Sequence, residues 1–354
     1  MASDKPSAPV GPVPFKDVGS EMDTALPEQP PEKLSHLADM VSSLPSKMEV
    51  NLGVRVYCYQ GFWLPDNWVV AAIAMQRGFK ARPDDVIVAS LPKCGTTWLN
   101  ALAFATMARH TYPPAAASHP LRRLNPHQCL PFLEGLFATG QEAMLDTLPS
   151  PRLMNTHMPL TMLPNTVLTT AAATEGGGCS GCRVIYICRE PKDIVVSFWH
   201  YFQQSVPSVT LAETFEAFCD GAKIFGPFWD HILNYWRAST ACPDNVLFLR
   251  YEELLRDPTS NVRKLAQFVG LPFSDAEEEV GVVDTIVKLC SLDNLRSLET
   301  NRTGYVDKRM NLRRETLFRK GIAGDWINHI TPEMARRLDD IVAQKLGTMG
   351  LIFK

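Results

Sequence analysis

The chain has 354 residues, 45% of them hydrophobic and 21% charged, with a formal net charge of −3. That length and apolar content exclude disorder throughout and fit one α/β domain of roughly 250–300 residues, or two smaller ones. The slightly acidic balance argues against nucleic acid as the main partner, because phosphate-backbone binding rests on a net basic field; any anion site is therefore local.

Residues 1–46 hold 8 of the 27 prolines, and residues 1–50 carry 8 acidic against 4 basic groups with few aromatics. That composition predicts an ordering-poor tail over 1–47, with the folded domain running from near Met48 to residue 354. Acidic residues come early, at Asp4, Asp17, Glu21 and Asp23, and no arginine precedes Arg55. The start thus matches neither a secretory signal nor a transit peptide. The longest apolar stretch, Trp68 to Met75, falls far short of the ~18 residues that cross a bilayer, so a soluble protein without membrane contact is expected. Nine scattered cysteines do not space out as a disulfide framework and suit a reducing compartment, with the cytoplasm as the default.

Three aliphatic runs read as buried parallel strands: Val86 to Ser90, Val184 to Cys188 and Val246 to Leu249. Helical patterns follow each one, at Thr97 to Arg109, at Pro191 to Tyr201, and at Tyr251 to Leu255 with Ser260 to Val269. Alternating strands and helices argue for an α/β three-layer sandwich around a mostly parallel central sheet, with ligands beyond the carboxyl ends of the strands. Residues 110–150, rich in Pro, His and Ala, and the Gly-rich stretch 174–181 read as loops. Residues 296–320 hold eight basic and three acidic side chains and could close over an anion.

Leu91-Pro92-Lys93-Cys94-Gly95-Thr96-Thr97-Trp98 stands between the first strand and its helix. Backbone N–H groups at a helix start, a mobile ammonium and two hydroxyls make a phosphate cradle. The order Lys-Cys-Gly-Thr-Thr is not that of a Walker A loop, which argues against a magnesium-dependent kinase or nucleotide triphosphatase. Taken alone, the stretch is equally an ordinary strand-to-helix turn.

With its neighbours the loop resembles the 5′-phosphosulfate loop of the cytosolic sulfotransferases, of the plant type in particular. Tyr186 to His200 is similar to that family's 3′-phosphate-binding strand and helix, and Phe318-Arg319-Lys320-Gly321 with Gly324-Asp325-Trp326 to its C-terminal signature. Further phrases, Pro131 to Glu134, Arg152 to His157 and Gly226 to His231, look like the plant branch. The resemblance implies a P-loop-like nucleotide-binding fold and transfer of a sulfuryl group from 3′-phosphoadenosine 5′-phosphosulfate (PAPS), leaving PAP, to a hydroxyl of a small apolar acceptor. Flavonoids, other phenolics, hydroxysteroids and hydroxyjasmonates are the candidates.

On that resemblance His157 is the general base and Lys93 stabilises the leaving phosphate. Lys93, Cys94, Gly95, Thr96, Thr97, Trp98, Arg189, Ser197, Tyr251, Arg319, Lys320 and Gly321 bind the cofactor, with Ser197 restraining Lys93 by a hydrogen bond. Cys94 replaces the usual serine, Asn155 stands where animal relatives often carry a second lysine, and Leu292 occupies a position often held by Phe near the adenine. The acceptor pocket is expected around Phe62, Trp63, residues 126–137, Phe198, His200, Tyr201 and Phe228. Ile327, Thr331-Pro332 and Arg336 depart from the family's dimer motif, so a monomer is favoured over a homodimer. Cys179 and Cys182 form a lone Cys-x-x-Cys in a loop, and no metal is expected. The competing reading is a PAPS- or PAP-binding sensor without turnover.

Overall fold

The computed structural model describes residues 11–18, 31–49, 53–169, 180–307 and 311–353. Its centre is a four-stranded parallel sheet in the order Leu153–Thr156, Val86–Ser90, Arg183–Cys188, Val246–Arg250. A three-stranded antiparallel meander precedes it, so in chain order the strands of these two sheets are β1 (Ser46–Glu49), β2 (Val54–Tyr59), β3 (Phe62–Pro65), β4 (Val86–Ser90), β5 (Leu153–Thr156), β6 (Arg183–Cys188) and β7 (Val246–Arg250). Every residue of β4 is buried, as a strand covered on both faces requires. Register pairs Val86 with both Leu153 and Arg183, and Val184 with Val246. The carboxyl ends of all four strands consequently lie on one side.

Helices cover both faces and divide the apolar side chains into two main clusters. Those that frame the site are α1 (Asp66–Gly78), α2 (Thr96–Met107), α3 (Leu133–Thr139), α4 (Pro191–Phe202) and α5 (Phe228–Ala241). The three strands read from aliphatic runs all occur, and the helices after them begin and end within two residues of expectation. β5 has no such run; its Asn155 and Thr156 hide a strand fully buried beside β4.

Three expectations need correction. Residues 11–18 and 31–47, read as tail from composition, are packed structure: Phe15, Leu37 and Val41 are core side chains, and Gly11 N–H donates to Ser150 O at 3.0 Å. A few well-placed apolar anchors outweigh a polar average. Residues 110–150 are not a bare loop, since they include α3 and the short helix Pro126–Cys129 with its Asn125 capping box. Among the described residues seven cysteines are free, whereas Cys242, expected to be a free thiol, is disulfide-bonded. Most of the 174–181 stretch, with Cys179, and all of 1–10 and 19–30 lie outside the described residues. Among the described residues no helix is long and apolar enough to cross a membrane.

Candidate functional site

The β4–α2 turn is built from two left-handed residues, Lys93 at φ 71° and Gly95 at φ 105°. Gly95 is the residue before α2, and a Cβ there would stand 2.7 Å from Tyr251 Cδ2. The turn therefore passes so close to the Tyr251 ring that only glycine fits. Thr96 and Thr97 open the helix with backbone N–H groups that no preceding turn can satisfy, so the loop presents donors and a positive helix end to one point.

That point opens on a single cavity of about 980 Å³. From the loop it is lined by Lys93, Gly95, Thr96, Thr97 and Trp98. Arg189 and Ser197 reach it from α4 and the turn before it, Tyr251 from the end of β7, and Arg319, Lys320 and Gly321 from the C-terminal segment. His157 and Asn155, at the end of β5, line the same cavity. Twelve of the thirteen residues singled out from the sequence thus converge, across a chain separation from residue 93 to residue 321. Cys94 is the exception. Its side chain is fully buried in the core rather than facing the cavity, burial pushes its thiol far up, and its N–H donates to Leu91 O at 3.3 Å. The left-handed turn at Lys93 and Gly95 sends the intervening side chain inward.

The basic end is held by carboxylates. Arg189 Nη2 donates to Ile322 O at 2.8 Å and sits 3.5 Å from Asp193 Oδ2, one helical turn on. Its Nε is buried with no hydrogen-bond partner, and its guanidinium lies 4.6 Å over the Tyr251 ring. Asp193 accepts from Gly324 N at 2.8 Å and Trp326 N at 3.0 Å, which fixes the C-terminal loop against α4. Asp325 accepts from Arg319 Nη1 and Lys320 Nζ, each at 2.6 Å. Burial opposes its charge, but those bonds and one from Asn328 hold its carboxyl well below the usual range. At Gly321 (φ 66°) a Cβ would lie 2.4 Å from Leu292 Cδ2.

Lys93 Nζ lies 3.8 Å over the Tyr201 ring. Burial, with Arg189 and Arg319 nearby, lowers its ammonium to about 7. No hydrogen bond joins it to Ser197 among the described residues; the group that Lys93 Nζ meets here is the Tyr201 ring.

His157 hangs at the junction of β4 and β5, placed there by the Ala89–Thr156 register. Its Nδ1 lies 2.8 Å from Ser90 O, a carbonyl that can only accept, so Nδ1 carries the proton and Nε2 keeps a lone pair. Burial, with Lys93 adding repulsion, lowers the ring to about 4, hence neutral near pH 7. The peptide around it is pinned on both sides. His157 N donates to Glu134 Oε1 at 2.6 Å, and His231 Nε2 donates to His157 O at 3.1 Å. Trp68 and Phe132 stack and abut the ring, with centroids 6.3 and 5.8 Å away.

Sequence reading missed several of these groups. Asp193 was findable, standing in the first turn of α4 four residues after Arg189. Glu134, wholly buried with its carboxyl pushed up to about 7 chiefly by burial, carried no sign of its bond to His157. His127 stands in the 126–137 segment expected at the acceptor pocket and lines the cavity, but its partner was not legible: its Nε2 is 2.9 Å from Thr97 Oγ1, and burial lowers its ring to about 3. The apolar half of the cavity also differs from expectation. Phe132, Phe198 and Tyr201 line it, joined by Trp68, Phe202, Val206, Ile224 and Phe225. Phe62, Trp63, His200 and Phe228 do not line it: Phe62 and Phe228 turn into the core, Trp63 lies half-buried under Lys47, and His200 faces the C-terminal segment. Leu292, at the position where relatives often carry Phe, does line it, as does the basic segment through residues 306, 311, 312 and 316–321; Lys308 and Arg309 lie outside the described residues.

The surroundings suit a doubly phosphorylated nucleotide. Cationic groups stand at both ends, and Arg189 Nε and the Asn155 amide are buried without partners. Comparison with known proteins bears on the same point. Residues 83–350 match the family profile described as a sulfotransferase domain. The chain is 43% identical over 322 residues to cytosolic sulfotransferase 5 of Arabidopsis thaliana, covering 89% of this chain and 95% of that one. It resembles the crystal structure of a provisionally named Arabidopsis thaliana steroid sulphotransferase, with a TM-score of 0.71, 34% identity and coverage of 93% and 100%. It also resembles mouse sulfotransferase SULT7A1 complexed with PAP, with a TM-score of 0.61, 26% identity and coverage of 82% and 94%.

Proposed function

The chain belongs to the sulfotransferase family, and from that premise we propose that it moves the sulfuryl group of PAPS onto a hydroxyl of a small apolar acceptor, with His157 as base and Lys93 at the leaving phosphate. The observation that carries this reading is the single cavity in which Lys93 and His157 face each other's half, one among cations and the other among aromatic rings. PAPS supplies the sulfuryl group and departs as PAP; everything else falls to the chain's own residues.

Lys93, Thr96, Thr97 and the N–H groups opening α2 would hold the 5′ end, and Arg189, Ser197, Arg319, Lys320 and Gly321 the 3′ phosphate. Trp98 and Tyr251, packed edge to face at 5.8 Å, would flank the base. Cys94 contributes through the backbone path of the loop alone. His157 accepts the acceptor's hydroxyl proton at Nε2, while Ser90 O stabilises the imidazolium that results. Lys93 places its positive charge where negative charge develops on the leaving phosphate, which counts more in this buried setting than it would in water. Trp68, Phe132, Phe198 and Phe225 exclude water from the acceptor half. A flat phenolic or steroid alcohol matches that lining, and the relatives named above carry steroid and cytosolic designations. A cytoplasmic monomer is part of the same reading, as is a reaction that needs no added metal.

His157→Ala should lower turnover by ~10²–10⁴ while PAP binding is retained. The measurement is product formation from PAPS across a panel of phenols, flavonols and hydroxysteroids by mass spectrometry, alongside PAP titration by calorimetry. Tight PAP binding by the unaltered protein with no product from any acceptor would favour the sensor reading instead.

A further inference from the structure

His200, near the end of α4, faces Asp325 and His329, which lie on and just past the short turn Asp325–Asn328. One ligand atom from each of the three lies within 4.8 Å of the others. The two imidazoles cross edge to face with centroids 5.1 Å apart, and His329 Nε2 stands 3.5 Å from Asp325 Oδ2. That last spacing is close to the roughly 3.3 Å edge of a tetrahedron with metal–ligand bonds of about 2.0–2.1 Å. The Nε2 atoms of both His200 and His329 are buried and have no hydrogen-bond partner. Two buried nitrogens left unsatisfied are costly, and such groups call for a missing partner. Neither belongs to the machinery assigned above.

We propose that His200, Asp325 and His329 form a binding site for a divalent transition-metal ion, zinc above all. Two imidazole nitrogens and one carboxylate are a donor set zinc accepts, with a fourth position left for water. Hard ions such as magnesium and calcium seek oxygen ligands and would leave both imidazoles unused. No free cysteine joins the cluster, so the ion would sit on nitrogen and oxygen alone. Asp325 is also the acceptor for Arg319 and Lys320, so an ion drawing on its carboxylate loosens the hold on these two cations at the cavity rim.

The test uses the untagged full-length chain, stripped with a chelator and titrated with zinc chloride by calorimetry near neutral pH, without nucleotide. One equivalent should bind at micromolar or tighter affinity. His200→Gln and His329→Gln should each weaken it by at least ~10-fold, since even outer partners of a metal ligand are worth ~10–100-fold. Thermal unfolding of each variant checks that it folds. Cobalt(II) bound to the unaltered protein should show d–d bands without a thiolate charge-transfer band, a readout that needs no variant. No zinc uptake, uptake undiminished in both variants, or a thiolate band would overturn the proposal. Because no nucleotide is present, these outcomes are independent of whether PAPS is the donor.

Discussion

Lys93 shows how one residue can carry a pH dependence of its own. Its ammonium is lowered to about 7 by burial and by Arg189 and Arg319, while a phosphate beside it would raise it again. Binding of an anionic nucleotide then takes up a proton above pH ~7. Affinity should be level below that pH and fall by up to ~10-fold per unit above it. The second phosphate ionisation, near ~6, is already complete there and does not confound the slope. PAP titrations by calorimetry between pH ~6.5 and ~9 should show this fall, and Lys93→Met should bind more weakly with a flat profile. A slope that survives in the variant would assign the proton elsewhere. The residue types of the site were legible in the sequence, since Lys93, Arg189 and His157 each stand in a motif. Their settings were not: nothing in the letters places a Tyr201 ring under Lys93 or the Glu134 carboxyl against His157 N.

At the scale of elements, the strand-to-helix turns do the positioning, and glycine is required where two elements nearly touch. Gly95 combines φ 105° with a Cβ position 2.7 Å from the Tyr251 ring, whereas Gly281, also left-handed at φ 70°, has nothing within 4 Å. Gly281→Ala should cost only the backbone term, about 1 kcal/mol, and leave PAP binding intact. Gly95→Ala adds overpacking and should cost about 2–4 kcal/mol in urea unfolding, with PAP affinity lower by ~10-fold or more. Equal costs at the two positions would show that the Tyr251 contact yields easily. Aliphatic runs gave away β4, β6 and β7 because a doubly covered strand needs apolar side chains on both faces. β5 escaped notice because it ends in two polar residues, with Asn155 lining the cavity and Thr156 bonded to Glu134, and His157 follows at once. Function at that strand end erased the pattern by which strands are recognised.

For the whole molecule, the buried histidines set the response to acid. His127, His157 and His231 are lowered to about 3, 4 and 4, mainly by burial, against ~6.5 in an unfolded chain. On acidification the unfolded state takes up protons first. The stability these rings contribute is thus full above pH ~6.5 and lost as pH falls toward ~4, by up to about 3 kcal/mol each. Glu134 works the other way: its carboxyl, raised to about 7, favours the fold below ~4.5 and loses that contribution as pH climbs to about 7. Three outweigh one, so the urea midpoint should drop between pH ~6.5 and ~4. A midpoint that holds steady over that window would contradict the burial of these rings. Composition reported the size of the core but not its extent along the chain, because Phe15, Leu37 and Val41 are isolated apolar residues in proline-rich surroundings.

That early anchoring bears on how the polypeptide is made. Phe15 belongs to the same apolar mass as Ala89 and Met154, and Gly11 hydrogen-bonds to Ser150. On the ribosome, residues 11–18 emerge long before the partners that receive them, Arg123, the helix Pro126–Cys129 and Ser150, so their berth is incomplete until the polypeptide has been extended past residue 150. The opening stretch must wait for those later residues through that interval of synthesis, whereas the β1–β3 meander, whose strands are neighbours in sequence, closes first.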